Sequence, residues 1–476
     1  MIVAMKLKEG EMATVVSYGA AEVVTGSCHL LELENGKQIL IDCGMFQGGE
    51  EERNADAFGF DPAQVDFLLL THAHLDHCGR MPKLVKEGFA KTIVATQATF
   101  DLAEVILLDS AKIMQEDFET RFKKALRRGS ESEVNPPLYG EDDVKDALSL
   151  TRILPEYGEP FTLCKGVEVT YRDAGHILGS AFIEIAYEEA GETRTIVFSG
   201  DIGNDNDMVL PNLAPCPHAD FLYTESTYGD RDHQNALQST AEFKKVITDT
   251  LYDWGNVLIP SFAVERTQEI LFLLKEMYEN EELPHCRIFV DSPMAIRATE
   301  VYDRYSDLLS PKCREVKARD GRVFDFELLS YTVDVGESKA INQIDSRAII
   351  IAGSGMCTGG RILHHFKHRL WNRKNALIFV GYQAAGTLGR RIIDGEKWIK
   401  IYREDIRIEA GVYTINGFSA HADQSGILSW IEGMNGLKKI FLIHGEADKQ
   451  AIFKQAIAEK LHKEAHIVEQ NEVIYL

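Results

Sequence analysis

Thr71-His72-Ala73-His74-Leu75-Asp76-His77 places four metal-capable side chains within six positions. The run before it, Asp66-Phe67-Leu68-Leu69-Leu70, reads as a buried strand. The run after it, Gly79-Arg80-Met81-Pro82-Lys83-Leu84-Val85, reads as a loop opening into a helix. While the chain is still extended, His72 and His74 lie two apart and face the same way. Asp76 and His77 then begin a turn and face elsewhere. One extended pair and one turned pair can serve two metals side by side, and imidazole nitrogens with further N or O donors suit zinc.

Working outward, strand exits recur with chemistry-bearing residues. Asn35-Gly36, between His29–Leu33 and Gln38–Asp42, is a strong hairpin signal, and Asp42 closes its second strand. Residues 45–65 read as loop, and 97–153 as largely helical, with a basic run at Arg121–Arg128 that reads as a solvated face. A lone histidine, His176, follows a strand within a loop of small residues, and Asp201 follows a strand and a glycine. Side chains at such exits can converge on one rim of a sheet sandwich. Beyond about Leu213, strands alternate with helices, which predicts a parallel sheet. The strand Ala348–Ala352 opens into Gly353-Ser354-Gly355-Met356-Cys357-Thr358-Gly359-Gly360 ahead of a helix from Arg361, a pattern suited to an anion cradle.

The chain of 476 residues is 45% hydrophobic and 26% charged, as expected of a globular protein of two or three domains. No apolar run is long enough for a transmembrane helix, which argues against a membrane partner, and Met1–Lys6 carries no signal-peptide pattern. Eight scattered cysteines without a C-x-x-C pair point to a reducing cytoplasm. The net charge of −23 argues against a polyanion partner in general, but Ser346 to Ile393 contains no Asp or Glu. That stretch holds Arg347, Arg361, Lys367, Arg369, Arg373, Lys374, Arg390 and Arg391, with His364, His365 and His368, and predicts a polyanion-binding surface.

These motifs resemble the metallo-β-lactamase superfamily and, within it, the β-CASP nucleases. The T-H-x-H-x-D-H stretch, Asp42, His176 and Asp201 match the superfamily's ordered motifs. The loop at Glu225, the F-S-A-H ending at His421 and the H-G-E beginning at His444 match the three β-CASP motifs. The resemblance spans essentially the whole chain and extends to members acting as RNA-processing exonucleases or messenger 3′-end processing factors. It implies an αββα sandwich formed by residues 1–212 and 396–476, with a Rossmann-like β-CASP domain inserted at 213–395.

The resemblance also implies two zinc ions per chain. One would be held by His72, His74 and His176, the other by Asp76, His77 and His444, with Asp201 bridging and Asp42 orienting the ligands and the nucleophile. A hydroxide bridging the zincs would attack the phosphodiester, and His421, supported by Glu225, would protonate the leaving oxygen. Ser354, Gly355, Gly359, Gly360, Arg361, His364 and His365 would hold flanking phosphates of RNA, single-stranded by expectation. His444 favours RNA, because the DNA-repair branch tends to carry Val there. The alternatives are a DNA nuclease, a small-molecule metallo-hydrolase and a non-catalytic RNA-binding subunit. Endonucleolytic and 5′-exonucleolytic modes, and a homodimer, stay open.

Overall fold

The computed structural model describes residues 12–476 apart from 131–133, 206, 382, 385 and 416, so Met1–Lys6 lies outside the described residues. The chain forms two compact units. One comprises Met1–Asp205, Asn212–Asp232 and His421–Leu476, the other Asn206–Pro211 and His233–Ala420.

The first unit is an αββα sandwich of two seven-stranded sheets. One sheet runs in the order Val473–Tyr475, Thr14–Gly19, Cys28–Glu32, Gln38–Ile41, Phe67–Leu69, Thr92–Val94, Arg152–Ile153. The other runs Ala465–Ile467, Lys439–Leu442, Phe221–Thr224, Glu192–Phe198, Ala181–Glu189, Val167–Asp173, Phe161–Cys164. Alternation decides what fills the space between them. Leu31, Ile39, Ile41 and Leu69 meet Val169, Ile183, Ile185 and Tyr223 in one buried cluster. Leu30, Leu40, Leu68 and Ile93 are equally buried, and alternation puts them on the outer face of the first sheet. Outside the second sheet, Ile427, Trp430 and Ile431 of the helix Gln424–Glu432 and Phe453 and Ile457 of Ala447–Leu461 pack on Phe182, Val197 and Leu222.

The Asn35-Gly36 hairpin forms as read, with Gly36 at φ +75° in the left-handed region the turn demands. The segment read as loop at 45–65 contains two 3₁₀ turns, Gly48–Ala55 and Pro62–Gln64. The exposed basic run at Arg121–Arg128 lies at the end of the helix Gln97–Leu126 and just beyond it.

The second unit is Rossmann-like. Its sheet runs Leu329–Tyr331, Arg287–Val290, Ala348–Ala352, Val257–Pro260, Ala376–Phe379, Gly411–Thr414, and every pairing is parallel. Its core gathers Leu258, Ile350, Leu377 and Phe379 with Ile362, Phe366 and Ile399. Two strands near the expected boundaries pair as follows: Phe221–Thr224 lies between parallel neighbours of the sandwich, and Gly411–Thr414 is an edge strand of the Rossmann-like sheet. Both are parallel strands followed by a loop, so local pattern alone does not tell the two sheets apart.

Candidate active site

The site lies within the sandwich unit and is assembled from segments that follow its strands. After Phe67–Leu69 the chain bends at Thr71 and runs to His74, whose extended φ of −61° and ψ of 150° precede a single helical turn, Leu75–Cys78. His72 and His74 therefore project before the turn, and Asp76 and His77 from it. His176 and Asp201 follow Val167–Asp173 and Glu192–Phe198, and His444 follows Lys439–Leu442. Asp42 and His444 take positive φ, 59° and 49°, an uncommon geometry for these residues that turns the chain sharply at each strand end.

Two glycines let the loops close. A Cβ on Gly203 would stand 1.8 Å from the Gly175 carbonyl oxygen, and one on Gly44 would stand 1.6 Å from the Asp76 carbonyl oxygen. Each glycine follows an aspartate by two residues, in Asp42-Cys43-Gly44 and Asp201-Ile202-Gly203, and each backs a segment carrying donors.

The donors fall into two clusters. His72, His74, His176 and Asp201 form one, and Asp76, His77 and His444 the other. In the first, His74 Nδ1 lies 3.2 Å from His72 Nε2 and 3.1 Å from His176 Nε2. In the second, His77 Nε2 lies 3.2 Å from His444 Nε2. Asp201 touches both clusters. Its Oδ2 is 3.5 Å from His72 Nε2 and 3.6 Å from His176 Nε2, and its Oδ1 is 3.3 Å from His77 Nε2 and 3.5 Å from His444 Nδ1.

This arrangement fits metal ions. Several ring nitrogens converge at about the edge length of a tetrahedron built on metal–nitrogen bonds of ~2.0–2.1 Å. Burial, reinforced by neighbouring imidazoles against the opposing carboxylates, keeps His72 well below its ordinary pKa and His74 down at about 4, which leaves lone pairs rather than protons. Asp201 Oδ1 is buried and, among the described residues, has no hydrogen-bond partner, an orphaned acceptor facing two imidazoles. His77 stands apart. Burial opposes its proton, but Asp201 and Asp42 together raise its pKa well above the ordinary value.

Hydroxyls that the sequence reading passed over hold the rings. Thr71 N–H and Oγ1–H donate to Asp42 Oδ1 and Oδ2, both at 2.8 Å, and Thr71 Oγ1 lies 3.0 Å from His72 Nδ1. Ser180 Oγ accepts from the His176 backbone N–H at 3.1 Å. Thr227 Oγ1 lies 3.1 Å from His444 Nδ1, next to the Glu225 motif. Thr71 opens the T-H-x-H-x-D-H motif and Thr227 follows Glu225 by two residues, which are the sequence signals for them.

Glu225 and His421 form a third group with Asp201. The Glu225 carboxylate lies 3.1–3.2 Å from His421 Nδ1 and accepts from the Ile202 N–H at 2.7 Å. Ser199 Oγ accepts from the Glu225 N–H at 2.9 Å. Burial lowers the His421 pKa, but Glu225 and Asp201 outweigh it and carry the group up to about 9. The side chain is 21% exposed, against 0–2% for His72, His77, His176 and His444, so His421 stands at the open side.

In the second unit the expected phosphate contacts are differently engaged. Asp291 Oδ1 accepts from Arg361 at 2.7 Å, and its Oδ2 lies 2.7 Å from His365 Nε2, with His365 buried. Ser338 and Thr332 hydroxyls also donate to Asp291, at 2.7 and 2.8 Å. Ser354 Oγ accepts from the Thr358 and Gly359 N–H groups, so part of the Gly-rich loop is closed on itself, while Gly355 and Gly360 sit in the same turn. His364 is exposed and stacks on Tyr402. Much of the basic stretch is neutralised from outside it: Lys367 pairs with Glu404, Lys374 with Asp253, Arg390 with Asp394 and Arg391 with Glu396. A further carboxylate group, Asp207, Glu265 and Glu269, is held by the buried Arg266 guanidinium.

A sandwich with two such donor clusters defines a metallo-hydrolase. Models of three families match: the metallo-beta-lactamase superfamily over residues 21–156, the Beta-Casp domain over 267–392, and the Zn-dependent metallo-hydrolase RNA specificity domain over 405–468. Ribonuclease TTHA0252 of Thermus thermophilus is 43% identical, over 91% of this chain and 94% of its own. Transcription termination factor FttA of Methanocaldococcus jannaschii is 32% identical, over 94% of this chain and 69% of its own. The chain belongs to the β-CASP family of the metallo-β-lactamase superfamily. A crystal structure of an Enterococcus faecalis protein of unknown function shares the fold, with a TM-score of 0.57 at 12% identity, over 98% of this chain and 100% of that one.

Proposed function

We propose that this hydrolytic nuclease cuts RNA, preferentially single-stranded, using two zinc ions per chain. His72, His74 and His176 would hold one ion, Asp76, His77 and His444 the other, with Asp201 shared. The observation that carries this reading is the reach of Asp201, whose two carboxylate oxygens each lie 3.3–3.6 Å from imidazoles of a different cluster. When bound, a zinc pair supplies an activated water and neutralises charge on the phosphate.

The chain's own residues do the rest. Asp42 fixes His77, Thr71 fixes Asp42, and Thr227 fixes His444. Glu225 faces His421 Nδ1, which leaves Nε2–H to deliver a proton to the leaving oxygen. Against burial, Glu225 raises the His421 pKa above its ordinary value, which favours the protonated ring. The products would carry a 5′-phosphate and a 3′-hydroxyl. RNA as substrate is supported by the name of the Thermus thermophilus relative, a ribonuclease, and by the RNA specificity domain matched over 405–468. We propose a sandwich domain interrupted by a β-CASP domain near the limits expected from the sequence, with Phe221–Thr224 kept in the sandwich and Gly411–Thr414 in the β-CASP domain. We place the protein in the cytoplasm, since all eight cysteines are free and seven are buried. Among the described residues no helix is long and apolar enough to cross a membrane.

RNA labelled at either end, incubated with the protein with and without a chelator, tests the proposal. Chelator-sensitive cleavage of RNA supports it, and the label pattern separates internal cuts from trimming. Cleavage of matched DNA with RNA left intact would overturn the substrate assignment.

A further inference from the structure

Three of the four tryptophans, Trp254, Trp371 and Trp398, are more than half exposed, and all three lie in the second unit. Single exposed aromatics need no explanation, but one of these continues a pattern. The helix Ile362–Arg369 buries Ile362, His365, Phe366 and Arg369. Its outward positions are His364 and His368, spaced i and i+4. Leu370 keeps helical dihedrals as the cap, φ −66° and ψ −22°, so Trp371 extends the same face at i+7 with 60% of its surface exposed. Tyr402, 54% exposed, stacks on His364 with ring centroids 4.7 Å apart and planes inclined by 27°. Beside the stripe lies a groove of about 430 Å³, lined by Lys367, His368, Trp371 and Glu404 among others.

We propose that His364 with Tyr402, His368 and Trp371 form a base-stacking track for single-stranded RNA on the second unit. The proposal rests on the ribonuclease reading above and names how that substrate is held. Rings with few aliphatic neighbours match nucleobases better than a protein partner: on this helix Ile362 and Phe366 are buried and Leu363 is half-buried, and Ile344, also half-buried, is the one aliphatic residue lining the groove. The groove holds no unpaired excess of acid: Lys367, His368 and Arg369 line it with Asp345 and Glu404, and Glu404 is paired to Lys367 at 2.6 Å. Seven residues of helix span ~10 Å, room for about three bases stacked at ~3.4 Å. Stacking tolerates any base, so the track adds affinity without sequence preference.

The test uses the full-length metal-loaded protein with a 20-nucleotide labelled RNA and a tetranucleotide. Trp371→Ala and Tyr402→Ala, both at exposed positions, should each raise KM for the long RNA about tenfold with kcat unchanged, and leave the tetranucleotide unaffected. Trp371→Phe should restore most of the loss, and the long RNA should quench tryptophan emission in the parent more than in Trp371→Ala. Equal KM in parent and variants would overturn the track while leaving the ribonuclease reading intact. No RNA cleavage by the parent would remove both. A change in assembly mass in the variants with KM unaltered would assign the stripe to a second copy of the chain and overturn the proposal.

Discussion

Asp42 Oδ2 lies 2.7 Å from His77 Nδ1, with both side chains almost wholly buried. The carboxylate accepts the Nδ1 proton and so fixes the ring with Nε2 facing His444 and Asp201. In Asp42→Asn, the amide can keep its contact with the Thr71 N–H only by presenting its own N–H to His77 Nδ1. The proton then moves to Nε2, the atom proposed to bind metal. Zinc affinity should fall about 10- to 100-fold, read by competition with a chromogenic chelator. Unchanged affinity would show that the ring is held by other contacts.

Gly203 makes a comparable prediction for the other cluster. A methyl group there meets the Gly175 carbonyl oxygen at 1.8 Å, and that oxygen is backbone, so the loop carrying His176 must move. Gly203→Ala should cost about 1–3 kcal/mol by overpacking and lower the zinc content per chain. Gly49→Ala, where nothing lies within 4 Å and no left-handed φ is required, is the control that should change neither. Equal zinc content in both variants would count against the proposed ligand role of His176.

The fold class and the donors were legible for different reasons. His72 to His77 announces itself because four donors are contiguous and follow an apolar strand. Asp42, His176, Asp201 and His444 are single residues, readable only because each sits at a strand exit and fits an ordered set of motifs. Thr71, Ser180 and Thr227 were not legible, since hydroxyls are common in loops and their role depends on which ring the fold brings near. Arg361 and His365 show the converse. Their charge suggests open phosphate contacts, yet Asp291, about 70 positions upstream, occupies both. Pairing at that sequence distance is a product of the parallel sheet.

His421 is the proposed acid, and its ring is engaged by a carboxylate. Its Nδ1 faces Glu225 at 3.1 Å, while the nearest Asp201 oxygen is 3.9 Å away. His421→Ala should lower the cleavage rate about 10²- to 10⁴-fold while two zinc ions per chain are retained. Loss of one zinc in that variant would make His421 a ligand. Cleavage at the parent rate would remove it from the mechanism.

Asp291 predicts an acid-labile second unit. Burial raises its pKa, but His365, Ser338, Arg361 and Thr332 together outweigh that and bring it down to about 2 from an ordinary 3.8. The folded state thus favours the charged form, so the stabilisation is complete above about pH 4 and is lost as pH falls through about 2. A shift of that size corresponds to roughly 2–3 kcal/mol. His365 acts in the same direction, since burial lowers its pKa and acid must force a proton onto a ring the fold keeps neutral. Asp291→Asn should cost about 3 kcal/mol at neutral pH by leaving Arg361 without its carboxylate. Urea unfolding followed by tryptophan emission, which Trp254, Trp371 and Trp398 report from this unit, should then show a smaller loss of stability between pH 4 and 2 in the variant than in the parent. Parallel pH profiles would mean that other carboxylates govern the acid transition and that Asp291 contributes only packing.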